Sequence, residues 1–194
     1  MTCILCWRPV ILSGEGHRSD VELERVRRLE ALFAEHAQAV RAYALRRIDR
    51  STADDIVSEV FVVAFRRLEE IPDDPLPWLL ATARRVLANH RRAAGRREAL
   101  TAQLSPLHAS AWHDEIAGEP ELLGALARLS DRHREVLLLV AWEDLDSASA
   151  AAALGCSRAT FAVRLHRARR RLAATMAQTK RERDITLQPT EATK

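Results

Sequence analysis

The sequence predicts an all-α fold of two small helical domains joined by a flexible linker, the C-terminal domain carrying a helix-turn-helix. Three observations predict it. Glycine and proline are scarce, 6 and 7 in 194 residues, while Ala, Leu, Arg and Glu dominate, a composition that favours helix. Apolar residues recur at helical spacing on both sides of the chain's middle. Between those stretches, residues 101–118 hold Ser, Pro, His, Asp and Gly with no sustained period, which marks a connection. The expected boundaries are a loosely held leader over 1–19, a first domain over 20–97, a linker over 98–118, a second domain over 119–177 and a flexible tail over 178–194.

The first helix is read from Asp20, with Leu23, Val26, Leu29, Phe33, Ala37, Val40 and Ala44 as one apolar stripe ending near Ile48. Thr52 with Asp55 resembles a capping box for a second helix, which Ile56, Val57, Val60, Phe61, Ala64 and Leu68 line. Pro72, Pro75 and Pro77 stop it in a short, stiff loop, because each removes a donor and biases its predecessor to extended geometry. A third helix is expected from about Trp78 to His90 or beyond, ended or interrupted by Gly95. In the second domain Pro120 suits the first turn of a helix through Leu129, Ser130 caps one to about Ala141, Ser147 caps an Ala-rich helix to Gly155, and Ser157 caps the last.

Charge is small in total, +3, and uneven in distribution. Arg84, Arg85, Arg91, Arg92, Arg96 and Arg97 share one window without an acid, and Arg158, Arg164, Arg167, Arg169, Arg170 and Arg171 share another. From Asp54 to Glu59 the only charges are acidic. A solvated helix normally intersperses acids for i,i+4 support, so the acid-free runs imply an anionic partner.

Ser147–Leu154, a turn through Gly155-Cys156-Ser157, and the helix from Arg158 have the form of a helix-turn-helix. At 100° per residue Phe161, Leu165, Ala168 and Leu172 fall within about 60° of one another and face the core. The opposite side holds Ala159, Val163, His166, Arg167 and Arg170. That side suits a major groove, with Arg167 and His166 at base edges and Arg164, Arg169 and Arg171 placed for phosphates.

These residues carry a family resemblance. Leu129-Ser-Asp-Arg-His-Arg-Glu-Val-Leu-Leu-Leu139, Leu154-Gly-Cys-Ser157, Thr160 and Arg164-Leu-His-Arg-Ala-Arg-Arg-Arg-Leu172 resemble the fourth domain of bacterial extracytoplasmic-function sigma factors, of the sigma-70 family. Ala53-Asp-Asp-Ile-Val-Ser-Glu-Val-Phe61 resembles that family's core-polymerase-binding helix, and Trp78-Leu-Leu-Ala-Thr-Ala-Arg84 its promoter-melting helix. The resemblance spans roughly residues 29–175 in matching order and implies a transcription initiation factor that assists promoter opening. It makes 20–97 sigma domain 2 and 119–177 sigma domain 4. Asp54, Asp55 and Glu59 would dock on the clamp helices of the polymerase's largest subunit, and the second domain on the flap of the second largest. Arg84, Arg85, Asn89 and Arg92 would hold the downstream promoter element. Arg158, Thr160, Val163, Arg164, His166, Arg167 and Arg170 would bind the upstream one.

The resemblance further implies that the Pro72–Pro77 loop captures a flipped base, that 98–118 threads through the polymerase, and that an anti-sigma protein restrains the factor. Ser58 stands where a glutamine is common, and Ala162 and Val163 stand where Lys and Ser are. Ala150–Ala153 replace a Glu-Ile-Ala pattern, from which looser packing of that helix is expected.

Other chemistry is not supported. Cys3 and Cys6 with His17 form at most half a zinc site, and three cysteines make no disulfide framework, so no metal or cofactor is expected. Trp78, Trp112 and Trp142 read as core or linker anchors, with a base-pocket role open to Trp78. Asp54 and Asp55 diverge by about 100° on a helix, which argues against a shared catalytic site; the chain is not expected to be an enzyme. No run approaches the roughly 20 apolar residues of a membrane span, and a cytoplasmic location is expected. The alternative function is a stand-alone helix-turn-helix transcriptional regulator, which would bind palindromic duplex DNA as a dimer. A helical adaptor with no nucleic-acid role would leave both arginine clusters without consequence.

Overall fold

The computed structural model describes residues 20–101 and 120–186, with side chains described through 96 in the first stretch and 181 in the second. The leader over 1–19 with Cys3, Cys6 and His17, the connection over 102–119 with Trp112, and residues 187–194 lie outside the described residues. Seven α-helices are described: α1 Asp20–Leu45, α2 Arg50–Arg66, α3 Pro75–Thr101, α4 Pro120–Ala127, α5 Asp131–Ala141, α6 Ser147–Leu154 and α7 Arg158–Thr186. One 3₁₀ turn, Leu68–Glu70, follows α2. Among the described residues there is no strand, and no helix is long and apolar enough to cross a membrane.

Helices α1, α2 and α3 pack on one another as one unit, and α5, α6 and α4 pack on α7 as a second. The predicted stripes point inward. Val40 and Ala44 of α1, Ile56, Val57, Val60, Phe61 and Ala64 of α2, and Leu79, Leu80, Ala83, Val86 and Leu87 of α3 are buried. Phe33 meets Phe61 edge-on with ring centroids 4.8 Å apart, a favoured aromatic geometry. In the second unit Phe161, Leu165 and Ala168 are buried and Leu172 packs against them, as the helical wheel requires. Trp78 and Trp142 pack against the core.

Several boundaries differ from expectation for identifiable reasons. The α1 stripe begins to bury only near Leu29; Leu23 is 41% exposed. The helix ends at Leu45, because the chain must turn within four residues to reach α2. The cap of α2 is Asp49, whose Oδ1 accepts from the Thr52 amide at 3.0 Å, so Thr52 with Asp55 is not the capping pair. Asp146, not Ser147, caps α6 by accepting from the Ser149 amide at 2.7 Å. In each case an Asp just upstream supplies a better-placed carboxylate.

Helix α3 starts earlier, at Pro75, and runs through Gly95 to Thr101, since one glycine penalises a helix by only about 1 kcal/mol and its neighbours are strong helix formers. Its last residues occupy positions expected to begin the linker. Helix α7 likewise continues past 177 into the expected tail. Ser157 does cap α7, accepting from the Thr160 amide at 3.2 Å. Gly155 ends α6 at φ 63°, a left-handed position, with Gly155 N–H donating to Ala152 O and Cys156 N–H to Ala151 O.

The two units also pack together. Helix α6 lies on α3, and its Ala150, Ala151 and Ala153 are buried, so the alanine run makes a close contact rather than the expected loose one. Beside it, the end of α1 meets α5 through charge. Glu135 accepts from the Tyr43 hydroxyl at 2.6 Å and from Arg47 Nε at 2.8 Å. Glu143 accepts from Arg47 Nη1 at 3.2 Å, from Arg46 Nε at 3.3 Å and from Arg46 Nη2. The Arg47 guanidinium also lies 3.5 Å from the Tyr43 ring centroid.

Candidate nucleic-acid interface

On α2, Asp54, Asp55 and Glu59 are exposed because the buried residues turn the opposite face to the core. Asp54 pairs with Arg41 Nε at 2.7 Å, and Glu59 meets His90 Nε2 of α3 at 2.6 Å. Val62, one turn further, is 48% exposed and gives the acidic face an apolar edge. The sequence reading did not single out that valine.

The Glu59–His90 contact joins this face to α3. There Arg84, Arg85, Asn89 and Arg92 are all exposed. Arg92 donates to Asn89 Oδ1 at 2.6 Å and to the Ala88 carbonyl at 3.3 Å, which fixes the two side chains as a pair. Arg91 belongs elsewhere, donating to the Arg47 carbonyl at 3.0 Å. The proline loop borders a pocket of about 240 Å³ lined by Leu68, Ile71, Pro72, Asp73 and Pro75 and by Arg28 and Leu32 of α1. Trp78 is not among its lining residues.

On α7, Arg158, Thr160, Val163, Arg164, His166, Arg167 and Arg170 are exposed, and Val163 is half open to solvent. The hydroxyls of Thr160 and Ser157 lie 2.8 Å apart, so Thr160 serves the helix cap as well as the surface. Arg167, Arg170 and Arg171 form one wall of an open cleft whose other wall is Arg128, Leu129, Ser130 and His133 at the α4–α5 turn. Arg128 and His133 thus join the basic surface by tertiary contact. Periodicity along one helix could not reveal them. Among the described residues, no group of His, Cys, Asp and Glu could hold a metal ion.

Comparison with known proteins finds matches in both halves of the chain. Residues 32–97 match the family model for Sigma-70 region 2, and residues 120–172 that for Sigma-70, region 4. The ECF RNA polymerase sigma factor SigL of Mycobacterium tuberculosis is 32% identical over 158 residues, 77% of this chain and 89% of the relative. The chain belongs to the ECF RNA polymerase sigma factors of the sigma-70 family. A sigma factor is a transcription initiation factor that binds core RNA polymerase and promoter DNA. The probable RNA polymerase sigma-C factor of Mycobacterium bovis is 33% identical over 153 residues, 76% of this sigma factor and 83% of the relative. Among solved structures, CnrH in complex with the cytosolic domain of CnrY matches at TM-score 0.52 and 27% identity, over 79% of this chain and 90% of that one. The sigma factor RpoE of Bartonella quintana, in complex with the anti-sigma factor NepR, shares the fold at TM-score 0.52 and 23% identity, over 81% and 97% of the chains.

Proposed function

We propose that this sigma factor directs core polymerase to promoters with two elements and assists their opening, without catalysing a reaction itself. The observation that carries the reading is one exposed acidic face and two exposed arginine faces, each on its own helix of a chain that matches regions 2 and 4. The assignment takes 20–97 and 119–177 as the two working domains. Asp54, Asp55 and Glu59 offer negative charge to the clamp helices of the polymerase, with Val62 adding apolar contact at the edge of that face. Arg84, Arg85, Asn89 and Arg92 hold the downstream element. The pocket beside the proline loop receives an unstacked base, which favours the open strand.

On the upstream element, Arg167 and His166 read base edges near Val163, while Arg158, Thr160, Arg164 and Arg170, with Arg128 and His133 across the cleft, hold phosphates. An anti-sigma protein that covers these surfaces is the natural restraint; the RpoE structure is a complex with an anti-sigma factor, NepR, and the CnrH structure a complex with the cytosolic domain of CnrY.

The test is run-off transcription with purified core polymerase on a genomic promoter library, comparing wild type with Asp55→Arg and Arg167→Ala at fixed salt. Transcription that requires the protein, is lost with Asp55→Arg and shifts its promoter preference with Arg167→Ala is the expected result. No transcription, together with salt-dependent binding of a dimer to palindromic duplex DNA, would establish a stand-alone regulator instead.

A further inference from the structure

We propose that Val163 is a specificity-determining residue of the upstream contact, reading by apolar contact the C5-methyl group of one pyrimidine in the major groove. The proposal rests on the reading of α7 as the helix that binds the upstream element. Phe161 and Leu165 are buried, and Val163 stands two residues from each, about 200° round the helix from both. The core thus fixes the rotation of α7 and aims Val163 directly away from itself. Its side chain is 50% exposed, and among the described residues no other large apolar side chain between Arg158 and Leu172 lies open to solvent. Valine is a weaker helix former than alanine, so at an exposed helical position it brings the fold no benefit.

The outward face of α7 changes character along its length. Ala159, Val163, Arg167 and Arg170 are exposed and fall within about 80° of one another, so the first half of the face is apolar and the second cationic. In a helix-turn-helix the N-terminal residues of the second helix meet the base edges. That part of α7 carries no hydrogen-bonding side chain at the centre of its outward face, and the hydroxyl of Thr160, to one side, lies 2.8 Å from Ser157 Oγ in the cap. To an alkyl side chain a base pair offers one apolar feature in the major groove, the methyl group that thymine carries at C5 and that cytosine acquires on methylation. The arginines around Val163 supply the attraction for phosphates that brings the groove to it. Arg167 lies one turn further on, about 6 Å along the axis or about two base-pair steps. A guanine held by Arg167 therefore lies about two base pairs from the pyrimidine under Val163.

The experiment uses holoenzyme assembled from the full chain and core polymerase at fixed salt, with wild type and Val163→Ala compared. Promoters that differ only in a randomised upstream element are selected for binding. In the winning sequence each thymine is then replaced singly by deoxyuridine, which removes the methyl and nothing else, and competition against a labelled promoter measures affinity. The expected result is one thymine, about two base pairs from a selected guanine, whose replacement weakens wild-type binding about four-fold, the factor that burial of one methyl group supplies. Alanine is the stronger helix former, so the variant keeps its fold, which circular dichroism checks; in it thymine and deoxyuridine at that position bind alike. Cytosine and 5-methylcytosine placed there distinguish the two sources of the methyl: a gain from 5-methylcytosine makes the contact a reader of methylated cytosine as well, and no gain assigns it to thymine. A selected element without thymine, equal binding of thymine and deoxyuridine at every position, or a difference that persists in Val163→Ala overturns the proposal while leaving upstream recognition in place. Absence of any selected upstream sequence overturns the reading of α7 and the proposal with it.

Discussion

Arg134 turns back on α4, donating to the carbonyls of Leu126, Ala127 and Leu129 at 2.7–2.8 Å, while Glu135 beside it reaches across to α1. Adjacent charges of one motif therefore do separate work, one ending a helix and one joining two units. Replacing Arg134 by Met leaves three helix-end carbonyls without this donor and is expected to lower stability by about 3 kcal/mol in urea titration. Burial by itself lifts the Glu135 pKa, but the charge of Arg47, hydrogen bonds from Arg47 and Tyr43, and the charge of Arg84 hold it below the usual carboxylate range. A depressed folded-state pKa contributes stability above the unfolded value, about 4.3, that is lost as pH falls through the folded one. Burial also raises the Tyr43 pKa, against the opposing charge of Arg47, so its hydroxyl remains a donor to Glu135 well into the alkaline range. That contribution is present below the unfolded tyrosine pKa, about 10, and lost as pH rises through the folded value. Scattering across pH is expected to show the compact form between these limits and expansion as acidification carries Glu135 below the unfolded carboxylate value.

At the scale of the helix, two glycines make opposite predictions. Gly95 sits inside α3 with open space where a Cβ would project, so Gly95→Ala is expected to stabilise by about 0.5–1 kcal/mol in urea titration. Gly155 also has room for a Cβ, but its φ of 63° is the left-handed conformation that ends α6. Gly155→Ala is expected to destabilise by about 1–2 kcal/mol through the backbone alone, and to weaken DNA binding by disturbing the angle between α6 and α7. The sequence made the helices and most of their inward faces legible because these depend on spacing within one segment. It misplaced the caps of α2 and α6, where several polar residues compete and only geometry selects Asp49 and Asp146. It also let Gly95 stop a helix that its neighbours carry onward. Tyr43 escaped the α1 stripe altogether, since its partner Glu135 lies 92 positions away and no local period encodes that contact.

For the whole molecule, the two acid-free arginine runs were legible as surfaces, whereas their completion by Arg128 and His133, and the closure of one unit on the other, arise only from tertiary packing. Wild type is expected to unfold in urea as one cooperative transition, because the buried apolar residues of both units form a continuous cluster. With Glu135→Gln and Glu143→Gln the same titration, followed by helix content and by tryptophan fluorescence, is expected to split into two. Coincident transitions in that variant would mean that alanine packing, not charge, couples the units. One further consequence follows from the uninterrupted course of α3. Its 27 residues make a rod about 40 Å long, with the base-sized pocket at one end and the start of the connection at the other. Because no break lies between them, force applied to the chain beyond Thr101 reaches the proline loop as torque on a stiff lever, so tension in the connection and the shape of the pocket are mechanically one variable.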